Sequence, residues 1–308
     1  MPPLVSIITV NYRQAQITCD FLDSLREIQY PHYEVLLVDN GLLEDESDKF
    51  RQHHPRVRVI NSADNLGFAG GNNLAIREAA GDYILLINND TIVPPDFLNP
   101  LVEVLETHPK AGMASPKIYF YDDPRMLQYA GTGKIDFRTG RGQDAAKRTL
   151  DEGQFDDLRQ ADYAHGACVL IRRTLLEEIG LLREDYFMYY EELDFSVRAR
   201  RAGWEILYTP KAYIHHRESS SMGKTSPLKT YYMFRNRWLF IRRFGQGLDY
   251  PIFLVYFLLV ALPLNAVRFV RQANWEHLRS LWRGLRWNLQ RVRISHQVPV
   301  LATTPPRR

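Results

Sequence analysis

Apolar residues recur along this chain in short runs that end in polar residues and alternate with segments of helical spacing. Val5-Ser6-Ile7-Ile8-Thr9-Val10 reads as a buried strand ending at Asn11-Tyr12. From there to about Gln29, the residues Ile17, Phe21, Leu22, Leu25 and Ile28 share one helical face, and Pro31 closes the segment. Val35 to Val38 is a second strand, ending in Asp39-Asn40. Val57 to Ile60 is a third; it leads through Asn65-Leu66-Gly67-Phe68-Ala69-Gly70-Gly71-Asn72-Asn73 to a helix over Leu74 to Ala79. Tyr83 to Ile87 is a fourth, ending in Asn88-Asn89-Asp90. Gly166 to Ile171 predicts another strand, while Thr174 to Ile179 and Glu191 to Arg201 predict helices, the latter stopped by Gly203. Strands that are apolar throughout and alternate with helices predict an α/β fold: an open, mostly parallel sheet flanked by helices on both faces. Between Ile118 and Gln160, glycines and charges break the pattern, which predicts strands and loops on the flank of the sheet.

The polar residues that end the runs add candidate chemistry. Asn11, Asp39 and Asp90 each follow the apolar core of a strand, and in an open parallel sheet those carboxyl ends form the rim where ligands bind. Each alone also suits a turn or a helix cap; three at the same edge point to a site. A carboxylate at Asp90 can bind Mg²⁺ or Mn²⁺ beside a diphosphate. Glu191, Glu192 and Asp194 open a helix, where they either favour its dipole or supply a base that deprotonates a hydroxyl. Tyr186, Phe187, Tyr189 and Tyr190 before them are a sugar-stacking wall or core packing. In His215-His216-Arg217, a histidine can coordinate a metal and the arginine can pair with diphosphate. Ser219, Ser220, Ser221, Gly223 and Lys224 read as a segment able to close over a nucleotide.

Composition narrows the class. A hydrophobic fraction of 45% fits a folded core, and Cys19 and Cys168 are too few for a disulfide framework. No basic segment precedes the first strand, so we expect a cytoplasmic protein rather than a secreted one. The net charge of +3 hides an uneven distribution: from Lys224 onward there are 15 Lys and Arg against only Asp249 and Glu276. Ile252 to Leu264 carries no charge, but its 13 residues fall short of the roughly 20 that span a bilayer. Farther on, Trp275, Leu278, Leu281, Trp282, Leu285 and Leu289 make an apolar stripe among Arg279, Arg283 and Arg286. Such a tail either lies on an anionic membrane surface, peripheral to the inner face of the cell membrane, or forms a packed helical hairpin or a homodimer contact. Nucleic acid is not an expected partner, because no nucleic-acid module accompanies the arginines. A dinucleotide enzyme is excluded, since the first strand is not followed by Gly-x-Gly-x-x-Gly.

Taken in order, several motifs resemble the family-2 glycosyltransferases of the GT-A fold, in particular their bacterial rhamnosyltransferase-like branch. They are Val5 to Tyr12, Val38-Asp39-Asn40, Asn65 to Asn72, Asn88-Asn89-Asp90, Gly166-Ala167-Cys168, Phe187 to Asp194, Gly203-Trp204, His215-His216 and Tyr231 to Arg237. The resemblance implies a nucleotide-sugar domain over residues 1–240 and a basic, amphipathic helical extension over 241–308. It implies that Asn11, Asp39, Asn65, Gly67, Asn72, Asn89 and Arg217 contact the nucleotide sugar. Asp90 and His215 would hold Mg²⁺ or Mn²⁺, with His216 as a register alternative. Glu192 would be the catalytic base, with Glu191, Asp194, Gly166 and Tyr189 supporting the acceptor side. The implied reaction is a single displacement with inversion, from dTDP-rhamnose or a UDP sugar to a hydroxyl of a glycan or polyprenyl-linked acceptor. Three departures stand out: Asn88 at the first position of the Asp-x-Asp-like motif, Glu191-Glu192 in place of a Glu-Asp pair, and Gly41-Leu42-Leu43-Glu44 where relatives carry a more polar loop. They motivate an alternative from another class, a sugar-nucleotide-binding or scaffold protein that has lost catalysis.

Overall fold

In the computed structural model, which describes residues 1–217, 226–290 and 297–301, the four predicted N-terminal runs become neighbouring strands. They are β1 (Val5–Asn11), β2 (Tyr33–Asn40), β3 (Val57–Ser62) and β4 (Tyr83–Ile87), parallel and in the order β3-β2-β1-β4. Between them run α1 (Ala15–Arg26), α2 (Ser47–His53) and α3 (Gly67–Glu78). The right-handed crossover rule leaves such a chain few other ways to pair its strands. α3 begins at Gly67 rather than at Leu74. Its glycines are poor helix formers alone, but a Cβ at Gly71 would sit 3.0 Å from Val10 Cγ1, so close packing on β1 overrides propensity.

The second half of the sheet is mixed. β5 (Thr91–Ile92) and α4 (Leu98–Thr107) lead to β6 (Ala111–Phe120), a ten-residue strand, and to β7 (Asp123–Tyr129), which pairs with it antiparallel. A small ribbon of β8 (Lys134–Asp136) and β9 (Arg141–Gln143) and the short β10 (Arg159–Gln160) fill the flank. β11 (Cys168–Arg172) then inserts antiparallel between β4 and β6, with Cys168 opposite Ile87. After α5 (Arg173–Ile179) and α6 (Glu191–Arg201) comes β12 (Glu205–His216), parallel to β6 with an irregularity between Thr209 and Tyr213. Pro210 and Lys211 conceal this strand in the apolar pattern. The sheet is thus parallel from β3 to β4 and again between β6 and β12.

Alternation along the strands feeds two cores. Ile7, Leu85 and Ile87 point to α1 and α4 on one face, while Ile8, Ile84 and Leu86 point to α3 and α5 on the other. Each such side chain, fully buried, contributes about 1.5–3 kcal/mol.

The C-terminal part is helical. α7 (Pro227–Phe244) starts at Ser226, whose hydroxyl accepts from Lys229 N, and runs through residue 240 with Trp238, Leu239, Phe240 and Ile241 buried. α8 (Asp249–Tyr256), a π-helical stretch (Phe257–Ala261) and α9 (Leu262–Arg271) form one helix of 23 residues, within which an 18-residue window has a mean hydropathy of 2.1. That is longer than the uncharged run suggested, and its length and composition suffice to contact a membrane. α10 (Trp275–Gln290) folds back on α7; a Cβ at Gly284 would lie 3.0 Å from Tyr231 O, and Asn288 Nδ2 donates to Arg235 O at 2.9 Å. The expected hairpin is therefore present, yet Val255, Leu259, Leu264, Trp275 and Leu289 remain exposed on it. The Ser219 to Lys224 segment read as a nucleotide closure lies outside the described residues.

Candidate functional site

Strand register assembles the first part of the site. Asn11 pairs with Asp39 across β1 and β2, and Asn11 Nδ2 donates to Asp39 Oδ1 at 2.8 Å. The amide oxygen of Asn11 accepts from Gln14 N and from the Thr18 hydroxyl, which in turn accepts from Asn89 Nδ2 at 2.8 Å. A buried relay therefore links the ends of β1, β2 and β4 through a helix residue, Thr18, that sequence reasoning missed. Burial raises the Asp39 carboxyl above its ordinary value, and the Asn11 hydrogen bond opposes that rise. Asn65 accepts from Asn40 Nδ2 and from Gly67 N, shaping the turn into α3. Gly67 and Asn72 are engaged in packing. A Cβ at Gly67 (φ +70°) would lie 2.4 Å from Phe187 O, and Asn72 Nδ2 donates to Phe68 O within its own helix.

The metal corner lies at the end of β4. Asp90 Oδ1 is buried and accepts no hydrogen bond among the described residues. Facing it at 3.1 Å is Nε2 of His216, not of His215. Adjacent residues of a strand point to opposite faces, and His215 instead stacks on Tyr119 with ring centroids 5.6 Å apart. The register alternative is thus the histidine that reaches Asp90. His216 Nδ1 lies 2.8 Å from Gln128 Oε1, an acceptor, so the ring proton sits on Nδ1 and the Nε2 lone pair is turned toward Asp90 and Asn88 Nδ2. A carboxylate oxygen without a donor and an imidazole lone pair 3.1 Å apart fit a cation that both could ligate, and Gln128 fixes the tautomer as an outer-shell partner does. No three His, Cys, Asp or Glu side chains are placed to hold one metal ion together among the described residues, so phosphate oxygens and water would have to complete the shell. Arg217 stands beside this corner: its N–H donates to Asp90 O at 2.9 Å, and its guanidinium pairs with Asp20 and covers the Tyr121 ring.

The acidic motif is reached across one short turn. Gly166 faces Glu192, whose Cβ and Cγ would lie 3.7 Å from a Cβ there, while the next carbonyl, of Ala167, accepts from Asn88 N at 3.0 Å. Glu191 and Glu192 line a small cavity with Phe68, Leu86, Ala164 and Gly166, and each has a buried carboxylate oxygen with no hydrogen-bond partner among the described residues. Their environments differ. Burial drives Glu191 well above the usual carboxylate range, and the charge of Glu192 adds to the rise. Burial raises Glu192 as well, but backbone amides of Glu192, Tyr190 and Leu193 favour its charged form. Both carboxyls are thus raised, Glu191 the more strongly, and Glu192 is the one whose charged form backbone donors favour. Asp194 is fully buried in an ion cluster, 2.7 Å from Arg198 Nε and 3.5 Å from Arg183 Nε. It anchors α6 and does not face the cavity's lining residues.

The turn before α6 is held under backbone strain. Phe187, Tyr189 and Tyr190 adopt φ of 66°, 64° and 78°, a region that bulky residues rarely occupy. The clamp comes from α7. Asn236 Nδ2 donates to the carbonyls of Tyr186, Met188 and Tyr189 at 3.0, 2.8 and 2.8 Å, and Arg235 Nη2 donates to those of Asp185 and Tyr186. Phe187 O in turn accepts from Phe68 N at 2.7 Å, so the N-terminal end of α3 is tied to the same turn. The Tyr231 to Arg237 motif was visible in the sequence, but its role as a clamp required the fold.

Residues 6–180 match the sequence profile described as Glycosyl transferase family 2. The chain is 29% identical over 245 residues to the low-salt glycan biosynthesis hexosyltransferase Agl10 of Haloferax volcanii, covering 76% of this chain and 74% of that protein. It is 26% identical over 246 residues to the N-acetylglucosaminyl-diphospho-decaprenol L-rhamnosyltransferase of Mycobacterium tuberculosis, covering 73% and 79%. In structure it is similar to the mannosyltransferase PcManGT of Pyrobaculum calidifontis, solved with GDP-Man and Mn²⁺, with a TM-score of 0.58 at 16% identity over 95% of this chain and 89% of that one. The profile spans more than half of the chain, and the sheet, rim and acidic turn carry the motifs that the resemblance rested on. The chain belongs to glycosyl transferase family 2, and its general chemistry is transfer of a sugar from a nucleotide donor to an acceptor.

Proposed function

We propose that this protein is an inverting glycosyltransferase that moves L-rhamnose from dTDP-rhamnose to a hydroxyl of a lipid-linked glycan. The observation that carries the reading is the pairing of two unsatisfied carboxylates across one turn, Asp90 Oδ1 on one side and Glu192 Oε2 on the other. Asn11 and Asp39 are assigned to the nucleoside, with Asn65 and Asn89 shaping that rim, and Arg217 to the diphosphate. Asp90 and His216 would hold Mg²⁺ or Mn²⁺, an ion whose bound chemistry is to neutralise charge on the departing phosphate. Glu192 takes the proton of the acceptor hydroxyl as that oxygen bonds to the anomeric carbon. The bond from that carbon to the phosphate oxygen breaks, and nucleoside diphosphate leaves. Gly166 leaves room beside Glu192, and Tyr189 stands on the acceptor side. The donor assignment is supported by the Mycobacterium tuberculosis relative, which is named for L-rhamnosyl transfer to a diphospho-decaprenol acceptor. The exposed apolar face of α8 and α9 supports peripheral attachment to the cytoplasmic face of an anionic membrane, where such an acceptor resides.

Turnover with a panel of dTDP- and UDP-sugars tests the reading. Wild-type protein is expected to release nucleoside diphosphate with dTDP-rhamnose only when acceptor is present. Glu192→Gln keeps the size of the side chain but cannot take the proton, so acceptor glycosylation should fall about 10²–10⁴-fold with donor affinity nearly unchanged. Transfer by Glu192→Gln at the wild-type rate would show that another group is the base.

A further inference from the structure

At the far end of the apolar helix, α7, α9 and α10 enclose a cavity of about 360 Å³. Ser226, Lys229, Thr230, Arg268, Gln272, Asn274 and His277 supply its polar lining, Met233, Phe234 and Phe269 its apolar side, and among the described residues no carboxylate lines it. The N-terminal ends of α7 and α10 border the same space, where their positive dipole ends stand against the C-terminal end of α9, whose last turn carries Arg268. The walls are built rather than accidental: Thr230 Oγ1 lies 2.8 Å from His277 Nδ1, and His277 stacks on Phe269 with ring centroids 5.1 Å apart. On the same helices as the lining residues, Leu264, Val267 and Val270 of α9 and Trp275 of α10 are 65%, 49%, 47% and 55% exposed.

We propose that this cavity binds the phosphate group of a phosphorylated long-chain lipid whose hydrocarbon lies along the exposed ridge of α8 and α9. The size fits a small polar headgroup, since ligand pockets run from about 300 to 1,000 Å³. Phe253, Phe257, Ala261 and Phe269 are buried on the protein side of the same helix, so a lipid chain can lie against its outer side without displacing the helix from its packing. Charge favours a lipid over a second copy of this chain. A symmetric contact through this face would bring the exposed Arg268 and Arg271 of two copies together with no acid from the cavity to neutralise them. One lining residue also touches the turn before Glu191 and Glu192: Lys229 Nζ stands 5.7 Å from the centre of the Tyr189 ring. That this lipid is the sugar acceptor rests on the function proposed above; that the cavity takes its phosphate does not.

Binding of farnesyl diphosphate to the full-length protein, followed by titration calorimetry, tests the assignment, with farnesol and inorganic pyrophosphate as the tail-only and phosphate-only probes. Farnesyl diphosphate should bind at least about ten-fold more tightly than either. Arg268→Gln, at an exposed position, should weaken it about ten-fold, the low end for a charge-assisted contact. Leu264→Gln on the ridge should weaken farnesyl diphosphate but leave pyrophosphate unchanged. Both variants should bind nucleoside diphosphate as the wild type does. Equal binding of farnesol would reduce the site to an apolar groove, and equal binding of pyrophosphate would make it a free-phosphate site; either overturns the proposal. So does displacement of farnesyl diphosphate by nucleoside diphosphate, which would place it in the donor cleft, or a dimer that dissociates in Leu264→Gln. If the wild type binds no nucleotide sugar while Arg268→Gln still loses farnesyl diphosphate, the glycosyltransferase reading fails and the lipid site stands.

Discussion

Replacing Asn236 with alanine isolates the clamp that holds the acidic motif in place. The side chain is fully buried, and its amide nitrogen serves three carbonyls. Tyr186 O keeps a donor in Arg235 Nη2 at 2.7 Å, while Arg235 Nε loses its acceptor, Asn236 Oδ1, and the orphaned carbonyls are Met188 O and Tyr189 O. Each orphaned acceptor costs about 1–3 kcal/mol, and because water can reach these two in part, a total of about 2–4 kcal/mol is expected. A domain has only about 5–15 kcal/mol to lose. The clamp also opposes three positive-φ residues, whose strain is of order 1–3 kcal/mol each, so its removal lets the turn relax and carries Glu192 with it. A displacement of about 1 Å at a reacting group can cost about 10²-fold. Asn236→Ala should therefore lower the urea midpoint at unchanged m and reduce kcat about 100-fold. Nucleoside diphosphate affinity should hold, because Asn11 and Asp39 share no hydrogen bond with Asn236. Asn236→Asp, which turns an oxygen toward the three carbonyls, should be worse than alanine on both measures. A variant that loses stability but keeps kcat would refute the link between clamp and base. An aspartate that outperforms alanine would refute the assignment of the amide nitrogen as donor.

Two further outcomes follow from the buried titratable groups. Gln128→Leu removes the acceptor that fixes the His216 tautomer; the Mn²⁺ concentration for half-maximal turnover should rise about 10–100-fold with full rate recovered at high Mn²⁺, and an unchanged requirement would count against His216 as a ligand. Glu191 is raised above its unfolded value of 4.5, so the native state binds the extra proton and stability falls as pH climbs from about 4.5 through the folded value; Glu191→Gln should flatten that decline in denaturation curves between pH 4 and 8, and parallel curves for variant and wild type would remove the basis for a neutral Glu191.

Local pattern was enough for the parallel half of the fold, because β1 to β4 are short, largely apolar runs: β1, β2 and β3 pair in sequence order and β4 returns to the other side of β1. It was not enough for β12, where Pro210 and Lys211 interrupt the run and pairing with β6 supplies the missing order. Nor could it orient β11, since an apolar strand buried on both faces reads the same in either direction. In the site, Asn11, Asp39 and Asp90 were legible because a polar residue ending an apolar strand has few uses other than a turn or a ligand. The choice between His215 and His216 was not. Two adjacent histidines differ only in the face they point to, and that is set by strand register with β5 and β6.

The two halves of the reaction accordingly depend on different kinds of information. The family profile ends at residue 180 and so contains Asn11, Asp39 and Asp90, while Glu192, His216 and Asn236 all lie beyond it. The donor rim is built by short-range strand-helix units that form their own geometry, as the relay from Asn89 through Thr18 and Asn11 to Asp39 illustrates. Glu192, the proposed base, is instead positioned by a strained turn that three elements must hold: α3 through Phe68, α6 through its first amides, and α7 through Asn236. Strain of that kind persists only when the surrounding structure over-determines it. On the proposed roles, a change on α7 would therefore move Glu192 without touching the donor rim, and the region beyond residue 180 would set the acceptor geometry.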